Sequence, residues 1–205
     1  MRAWRIPYST NVERVALALG HKGIEVEWVD VDPRDRSEVA RISGQELVPV
    51  LEDDDGRIVA DSTAIIRHLE ERVPSPPLFP RQPARRAELL VFLEWFDRTW
   101  KRPPNAIEGE YRRPAPDEAR IERLGRAIQG SLALFEELLG GRDFLWGDAF
   151  SAADCSAFPF LKYAVLWDEG DDERFHRILR DWLRPDGGYP AVRAWIERVD
   201  VRPRA

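Results

Sequence analysis

The chain of 205 residues is poor in cysteine, and Cys155 is its single example. One thiol cannot form an internal disulfide, and a chain without disulfides fits a reducing compartment. The N-terminus also lacks a charged and then apolar leader with a small-residue cleavage site, so no secretion signal is expected. The composition therefore predicts a cytoplasmic protein.

Long apolar runs and an excess of basic residues are missing as well. No run of about 18 apolar residues exists, so no membrane span is predicted. The formal net charge is −6, whereas a surface that binds nucleic-acid phosphates should be basic, which argues against nucleic acid as a partner. His21, His68 and His176 are scattered, without carboxylates or cysteines at ligand spacings, so no metal site is predicted.

Two parts of the chain differ in their hydrophobic pattern. Residues 1–73 alternate strand-like and helical runs in the order β-α-β-α-β-β-α. The proline-rich segment 74–84 cannot continue a helix and is interpreted as a linker. Only helical patterns follow in residues 85–205. These patterns predict helices at 85–101, at 117–139, from 151 onward, at 173–183 and at 190–199, with a turn at Asp186-Gly187-Gly188. The predicted fold class is α/β plus all-α.

Two features of the helical part carry structural predictions. Gly125 and Gly130 lie inside the predicted helix 117–139. Each costs about 1 kcal/mol relative to Ala in a helix, so a close helix contact is predicted at both. Ser151 and Asp154 are spaced as a capping box, with Asp in place of Glu or Gln, and predict the start of a nearly all-apolar helix.

Three residues of cap-forming types, Ser9, Thr10 and Asn11, precede the first apolar helical stripe. A helix N-terminus presents free N–H groups and positive potential, which favour an anion and favour a thiolate over a thiol. No cysteine lies near Ser9, so any thiol handled here must arrive with a ligand. The alternative is that Ser9 only caps the helix.

A second helix N-terminus is predicted at Asp61-Ser62. The Ser62 hydroxyl and N–H can bind an α-carboxylate while Asp61 pairs with an α-ammonium, so one amino-acid head group satisfies both; a plain helix cap is the alternative. Pro49 follows an extended Val48, and a proline there suits a strand edge, a bulge or a cis bend. In a cis bend, the Val48 N–H and C=O would be free to pair with the backbone of a peptide ligand.

Taken together, these elements resemble a cytosolic glutathione transferase of the serine type (tau-, zeta- or bacterial-like) over essentially the whole chain. The resemblance is carried by residues 9–19, Val48-Pro49-Val50, residues 61–66, Ser151-Ala152-Ala153-Asp154, and Tyr189-Pro190 with Trp195. It implies a thioredoxin-like N-terminal domain followed by a helical-bundle domain. It also implies glutathione as co-substrate without a metal, an electrophilic small molecule as second substrate, peroxide reduction as a related activity, and a homodimer.

The resemblance assigns roles to the residues of the first helix start. Ser9 would donate a hydrogen bond to the sulfur of glutathione and stabilise its anionic form, and Asn11 would assist. Tyr8 and Thr10 are the alternative donors. Asp61-Ser62 would hold the γ-glutamyl end of glutathione, and Val48-Pro49 would pair with its backbone.

The sequence departs from the family pattern at Gln45-Glu46-Leu47. Serine-type members often carry basic residues there to anchor the glycine carboxylate, and here only Gln45 and Arg14 remain as candidates. A different low-molecular-weight thiol therefore stays open, as does a non-catalytic binding module with the same fold. In the family, the region of Trp100 and Tyr111 walls the pocket for the electrophile, while core packing is the alternative for these aromatic side chains.

Overall fold

The computed structural model describes residues 1–184 and 188–205, so Asp186-Gly187 of the predicted turn lies outside the described residues. The chain divides into two compact units, one made of residues 1–82 with 202–205 and the other of residues 83–201. No helix in the described ranges is long and apolar enough to cross a bilayer.

The first unit has the predicted order β-α-β-α-β-β-α. Its elements are β1 (Arg2–Arg5), α1 (Thr10–Lys22), β2 (Glu27–Asp30), α2 (Ser37–Ser43), β3 (Val50–Glu52), β4 (Ile58–Ala60) and α3 (Ser62–Arg72). The sheet order is β2-β1-β3-β4, with β1 parallel to β2 and β3 antiparallel to both β1 and β4. This is a thioredoxin-like arrangement, and it confirms the predicted fold class.

The last four residues of the chain pack on the first unit, whereas the sequence predicts a helical part that runs to the last residue. The Ala205 N–H donates to the Ala16 carbonyl at 3.2 Å, and Trp28 Nε1 donates to the Ala205 carbonyl at 3.1 Å. Arg204 pairs with Glu13 at 3.0 Å. These contacts tie the segment to α1 and β2, which a helical periodicity could not reveal.

The β3–β4 hairpin is joined to α3 through the buried Asp53. Its Oδ2 lies 2.7 Å from His68 Nε2 and 3.1 Å from Arg72 Nε, both on α3. Burial acts to raise the pKa of Asp53, but the Asp54 N–H, His68 and Arg72 outweigh it, so the pKa lies below its usual 3.8. The hairpin and α3 are thereby fixed around Asp61 and Ser62, which lie between them in the chain.

We expect Asp53→Asn to lower the free energy of unfolding by about 1–2 kcal/mol at neutral pH, because charge-assisted hydrogen bonds are weakened. The folded-state pKa is depressed, so the stabilisation is present above the unfolded pKa and is lost as the pH falls through the folded value. Urea unfolding of the variant and the parent should therefore differ at neutral pH; the difference should begin to shrink below about pH 3.8 and vanish below the folded-state pKa of Asp53. A difference that stays constant with pH would contradict this assignment.

The described part of the second unit is helical. Its α-helices are α4 (Pro83–Trp95), α5 (Arg102–Tyr111), α6 (Glu118–Leu139), α7 (Ala152–Leu161), α8 (Arg174–Trp182) and α9 (Pro190–Asp200). A π-helical segment, Phe96–Trp100, follows α4, and a short 3-10 segment, Lys162–Ala164, follows α7. The start of α6 after the Asp117 cap and the bounds of α8 and α9 agree with the sequence to within one residue.

One helix of this unit is not predicted, and one glycine contact is predicted wrongly. The predicted helix 85–101 does end before Pro103 and Pro104, because α4 and the π-helical segment reach only to Trp100. No helix is predicted directly after it, whereas both prolines lie in the first turn of α5. The missing N–H of a proline costs little there, because the first helical N–H groups have no partner within the helix. A close contact exists at Gly125, where a Cβ would lie 2.1 Å from the Trp182 ring, whereas Gly130 has no such neighbour within 4 Å in the described residues.

The predicted capping box of α7 is confirmed. Ser151 Oγ accepts from the Ala153 N–H, and Asp154 Oδ2 accepts from the Ser151 N–H at 2.9 Å and from its hydroxyl at 2.8 Å. Asp154 Oδ1 also accepts from the Leu145 N–H at 2.9 Å and from Trp195 Nε1 at 2.8 Å. Burial raises the pKa of Asp154, while these four donors act in the opposite direction. The side chain thus joins the preceding loop, α7 and α9.

Candidate functional site

Ser9 is the N-cap of α1 and lies half-buried at the end of the turn that follows β1. Its Oγ accepts from the Val12 N–H at 3.4 Å. A hydroxyl that accepts this bond still has its own proton to donate. Ser9 therefore caps the helix and can, at the same time, donate a hydrogen bond to a ligand atom at the N-terminal end of α1.

The neighbouring hydroxyls have surroundings that differ from those of Ser9. Tyr8 has a positive φ of 65° and a side chain that is 68% exposed. Thr10 is the first residue of α1 and is only 6% exposed. Among the three, Ser9 combines partial access with a position at the helix start, whereas Tyr8 extends into solvent and Thr10 is enclosed.

Arg14 connects the starts of two helices. Its Nη1 donates to Ser62 Oγ at 2.8 Å and lies 3.4 Å from Asn11 Oδ1. The Arg14 side chain is fully buried, so it cannot reach an external glycine carboxylate, which corrects that candidate assignment. Instead, its positive charge lies next to the Ser62 hydroxyl, and its hydrogen bond links α1 to the first residue of α3.

Asp61 and Ser62 form the N-terminus of α3. Asp61 has a positive φ of 79°, and its Oδ1 accepts from the Thr63 N–H at 2.9 Å and the Ala64 N–H at 3.0 Å. Both of these bonds use the same carboxylate oxygen. Ser62 is 4% exposed, and its hydroxyl accepts from Arg14. Asp61 is thus a helix cap whose second oxygen, Oδ2, can accept from an ammonium group.

The Val48–Pro49 peptide bond is cis and directly precedes β3. Pro49 is buried and Val48 is half-buried. In the part of the chain that the structure describes, neither the N–H nor the C=O of Val48 has a hydrogen-bond partner. This short stretch of backbone therefore offers one donor and one acceptor to an extended peptide.

Gln45 does not have a free amide for a ligand. Its Nε2 donates to Ser43 Oγ at 3.0 Å and to the Leu47 carbonyl at 2.8 Å, and its Oε1 accepts from the Leu47 N–H at 2.5 Å. The side chain braces its own loop, so its predicted role as a carboxylate anchor is not supported.

Arg36 is a basic residue near this loop that sequence reasoning missed. Its Nη1 donates to the Glu46 carbonyl at 3.3 Å and its Nε donates to the Pro33 carbonyl at 3.3 Å. Glu46 lies two residues before Val48, so a guanidinium is present beside the loop where the family pattern has basic residues. The signal in the sequence is weak, because Arg36 precedes this loop by ten residues and the pattern has the basic residues directly before Val48-Pro49.

Trp100 and Tyr111 belong to the second unit and have different surroundings. Trp100 is 4% exposed, stacks on Phe96 at 4.7 Å, and donates from Nε1 to Ser131 Oγ at 2.8 Å. It is a core residue, which corrects its predicted place in a pocket wall. Tyr111 is 41% exposed and lines a cleft of the second unit.

Residues 5–77 match the family description "Glutathione S-transferase, N-terminal domain", and residues 118–198 match "Glutathione S-transferase, C-terminal domain". The chain belongs to the glutathione S-transferase family. This confirms the family that the sequence motifs indicate and agrees with the architecture of both units.

Relatives of this chain include both a protein named for an enzymatic reaction and a protein whose name states only a location. The chain is 31% identical to FtsZ-localized protein A of Caulobacter vibrioides over 96% of this chain and 85% of that protein. It is also 31% identical to maleylacetoacetate isomerase of Pseudomonas aeruginosa, over 90% and 87% of the two chains. A crystal structure of a glutathione S-transferase from Rhodospirillum rubrum F11 superposes with a TM-score of 0.75 at 29% identity, over 98% of this chain and 88% of that one.

Proposed function

We propose that this chain is a glutathione transferase that binds glutathione on its first unit and activates the thiol for attack on an electrophilic small molecule. The observation that carries the proposal is the 2.8 Å hydrogen bond from Arg14 to Ser62, because it holds α1 and the start of α3 together. Two helix N-termini then present N–H groups and positive potential to one ligand, which suits a peptide with a thiolate and two carboxylates.

The head group of glutathione would bind at the start of α3. Ser62 accepts a hydrogen bond from Arg14, so its own proton can be donated to the α-carboxylate. The buried Arg14 charge favours an anion at that position. Asp61 uses one carboxylate oxygen for capping and can offer the other to the α-ammonium. The Val48 N–H and C=O would pair with the ligand backbone in the manner of a short strand.

The sulfur would lie at the N-terminal end of α1, where Ser9 can donate to it. A free thiol has a pKa of about 8.5, and lowering it by two units requires about 2.7 kcal/mol. One hydrogen bond to a charged acceptor contributes roughly 1.5–3 kcal/mol, and a helix N-terminus adds roughly 0.3–1 kcal/mol. These two contributions suffice without a general base. The remaining catalysis is the positioning of a preformed thiolate against the electrophile, or against a peroxide.

Arg36 is our candidate for the glycine carboxylate of glutathione. We expect Arg36→Gln to raise the Kd for glutathione about five- to tenfold, because one exposed charge-assisted contact contributes roughly 1–1.4 kcal/mol. Isothermal titration calorimetry measures this change. Arg41→Gln, which removes a nearby arginine on α2, is the matched control and should leave the Kd unchanged. Equal weakening in both variants would show a general charge effect and would remove Arg36 from the site.

A non-catalytic module is the second candidate, and it is favoured by the similarity to FtsZ-localized protein A, whose name states a location and no reaction. The loop beside the site also presents an apolar side chain to solvent, since Leu47 is 69% exposed. Titration with millimolar glutathione, followed by a conjugation assay with chlorodinitrobenzene, separates the candidates. Binding together with a Ser9-dependent rate supports the transferase. No glutathione binding supports the module, unless another low-molecular-weight thiol binds in its place.

We further propose a homodimer in the cytoplasm. The family membership supports the dimer, and the single cysteine, buried at position 155, suits a reducing compartment. Sedimentation equilibrium of the full chain should give twice the 23.7 kDa of one copy. A sedimentation mass of a single chain at micromolar concentration would contradict the dimer.

A further inference from the structure

The second unit contains a cleft between the end of α5 and α8. Its volume is about 380 Å³, and it is lined by Tyr111, Arg174, Arg177, Ile178, Asp181 and Trp182. This volume falls in the range of sites for small molecules, roughly 300–1,000 Å³. All the lining residues belong to the second unit, and none of them is needed for the glutathione site proposed above.

The walls of the cleft are held in place by specific contacts. The Trp182 ring packs directly on Gly125 of α6, where a Cβ would lie 2.1 Å from the ring, so this position of the indole requires glycine. Ile178 is buried and forms an apolar part of the lining. Arg174 Nη1 lies 3.4 Å from the Tyr111 carbonyl oxygen, and it joins the start of α8 to the end of α5. The cleft is therefore lined by side chains on α5 and α8, and α6 supports it from behind through the contact of Gly125 with Trp182.

Two guanidinium groups of the cleft are available to bind an anion. Arg174 and Arg177 are positive charges in its lining, while Asp181 in the lining and Glu118 near Tyr111 are negative. Within the described residues, no carboxylate lies within ion-pair distance of the Arg177 guanidinium, whereas Asp181 is 3.8 Å from Arg184. Burial, together with the charges of Glu118 and Asp181, raises the pKa of Tyr111 above 10.0, so its hydroxyl stays protonated and can donate.

We propose that this cleft binds a small aromatic anion, namely a flat ring that carries an oxyanion such as a phosphate or a carboxylate. The ring packs between the Trp182 indole and the Tyr111 phenol, which together with Ile178 supply the apolar surface. The oxyanion binds the guanidinium groups of Arg174 and Arg177, whose planar donors suit phosphate and carboxylate oxygens.

The test is an NMR titration of the isotope-labelled full chain with phenyl phosphate. We expect the Trp182 indole signal and the α8 amide signals to shift with a single Kd. Phenol has only the aromatic ring and inorganic phosphate has only the oxyanion, so each should bind at least tenfold more weakly than phenyl phosphate. Arg177→Gln should weaken phenyl phosphate about five- to tenfold, as loss of one charge-assisted contact predicts. Benzoate instead of phenyl phosphate distinguishes a carboxylate ligand from a phosphate ligand.

Arg193→Gln, an exposed arginine on α9, is the matched control and should leave the affinity unchanged. Three results would each overturn the proposal. The first is a titration in which the Trp182 indole signal does not shift. The others are an equal loss of affinity in Arg193→Gln and Arg177→Gln, and inorganic phosphate that binds as tightly as phenyl phosphate. Calorimetry with glutathione on Arg177→Gln should match the parent. A failure of the cleft proposal is thus distinguishable from a failure of the transferase proposal.

Discussion

Ser9→Ala is expected to raise the pKa of the thiol of bound glutathione by one to two units. The variant loses a hydrogen bond to a charged acceptor, which contributes roughly 1.5–3 kcal/mol, and each unit of pKa corresponds to 1.36 kcal/mol. At a pH below the thiol pKa of the parent protein, the conjugation rate is proportional to the thiolate fraction of bound glutathione. With glutathione saturating, kcat/KM for the electrophile should therefore fall by about ten- to a hundredfold. Thiolate absorbance measured against pH, with the protein saturated by glutathione, gives the pKa directly.

The controls for this prediction must separate catalysis from helix capping, because Ser9 also accepts a bond from the Val12 N–H. Loss of a cap alone costs roughly 0.5–2 kcal/mol of stability. Ser9→Thr keeps both the cap and the donor, so its titration should resemble that of the parent. Ser9→Asp keeps the cap but brings a negative charge beside the sulfur, so it should raise the thiol pKa at least as much as Ala.

The same titration can contradict the role of Ser9 and identify a neighbouring donor in its place. An unchanged thiol titration in Ser9→Ala would remove Ser9 from the site. If Tyr8→Phe instead raised the thiol pKa, the exposed Tyr8 hydroxyl would be the donor. Asn11→Ala should have a smaller effect than Ser9→Ala, because the Asn11 side chain is engaged with Arg14 and acts on the sulfur at most as an assisting donor.

Asp154→Ala is expected to lower the free energy of unfolding by about 3–5 kcal/mol. The carboxylate is fully buried and accepts four hydrogen bonds from the Leu145 N–H, Ser151 and Trp195. Removing it leaves these donors without an acceptor in a dry interior, where each unsatisfied group costs roughly 1–3 kcal/mol. Urea unfolding followed by circular dichroism measures the loss.

Two further variants make the Asp154 prediction specific. Asp154→Asn keeps the shape but brings an NH₂ group against donors, so its stability should lie between those of Asp154→Ala and the parent. Asp148→Ala removes an exposed carboxylate from the same loop region and should change the stability by less than about 0.5 kcal/mol. A loss below about 1 kcal/mol in Asp154→Ala would show that the buried carboxylate contributes little to the fold.

The sequence predicts those parts of the fold that depend on local periodicity and capping. The order of elements in the first unit follows from alternating runs, the extent of α6 follows from its apolar stripe, and the start of α7 follows from the capping box of Ser151 and Asp154. The helix α5 escaped prediction because its two prolines look like a break unless the next helix is known to start there. Local rules therefore determine elements better than they determine the connections between them.

At the candidate site, the sequence predicts where residues lie along the chain but not which partners their side chains contact. Ser9, Asp61 and Ser62 lie at predicted helix starts, so their positions could be anticipated. The partners of long side chains could not, because Arg14 contacts a residue 48 positions away and Gln45 folds onto its own loop. For Trp100, aromatic character alone does not distinguish a core from a pocket wall. Packing against Phe96 decides it, and packing is not encoded in spacing.

The central claim is that two joined helix starts hold one tripeptide, with its sulfur at Ser9. A crystal structure of the protein soaked with glutathione tests it most directly. We predict the sulfur within hydrogen-bond distance of Ser9 Oγ and the γ-glutamyl head group in contact with Asp61 and Ser62. Glutathione bound with its sulfur away from Ser9, or no glutathione at that position in a crystal soaked at millimolar concentration, would contradict the account.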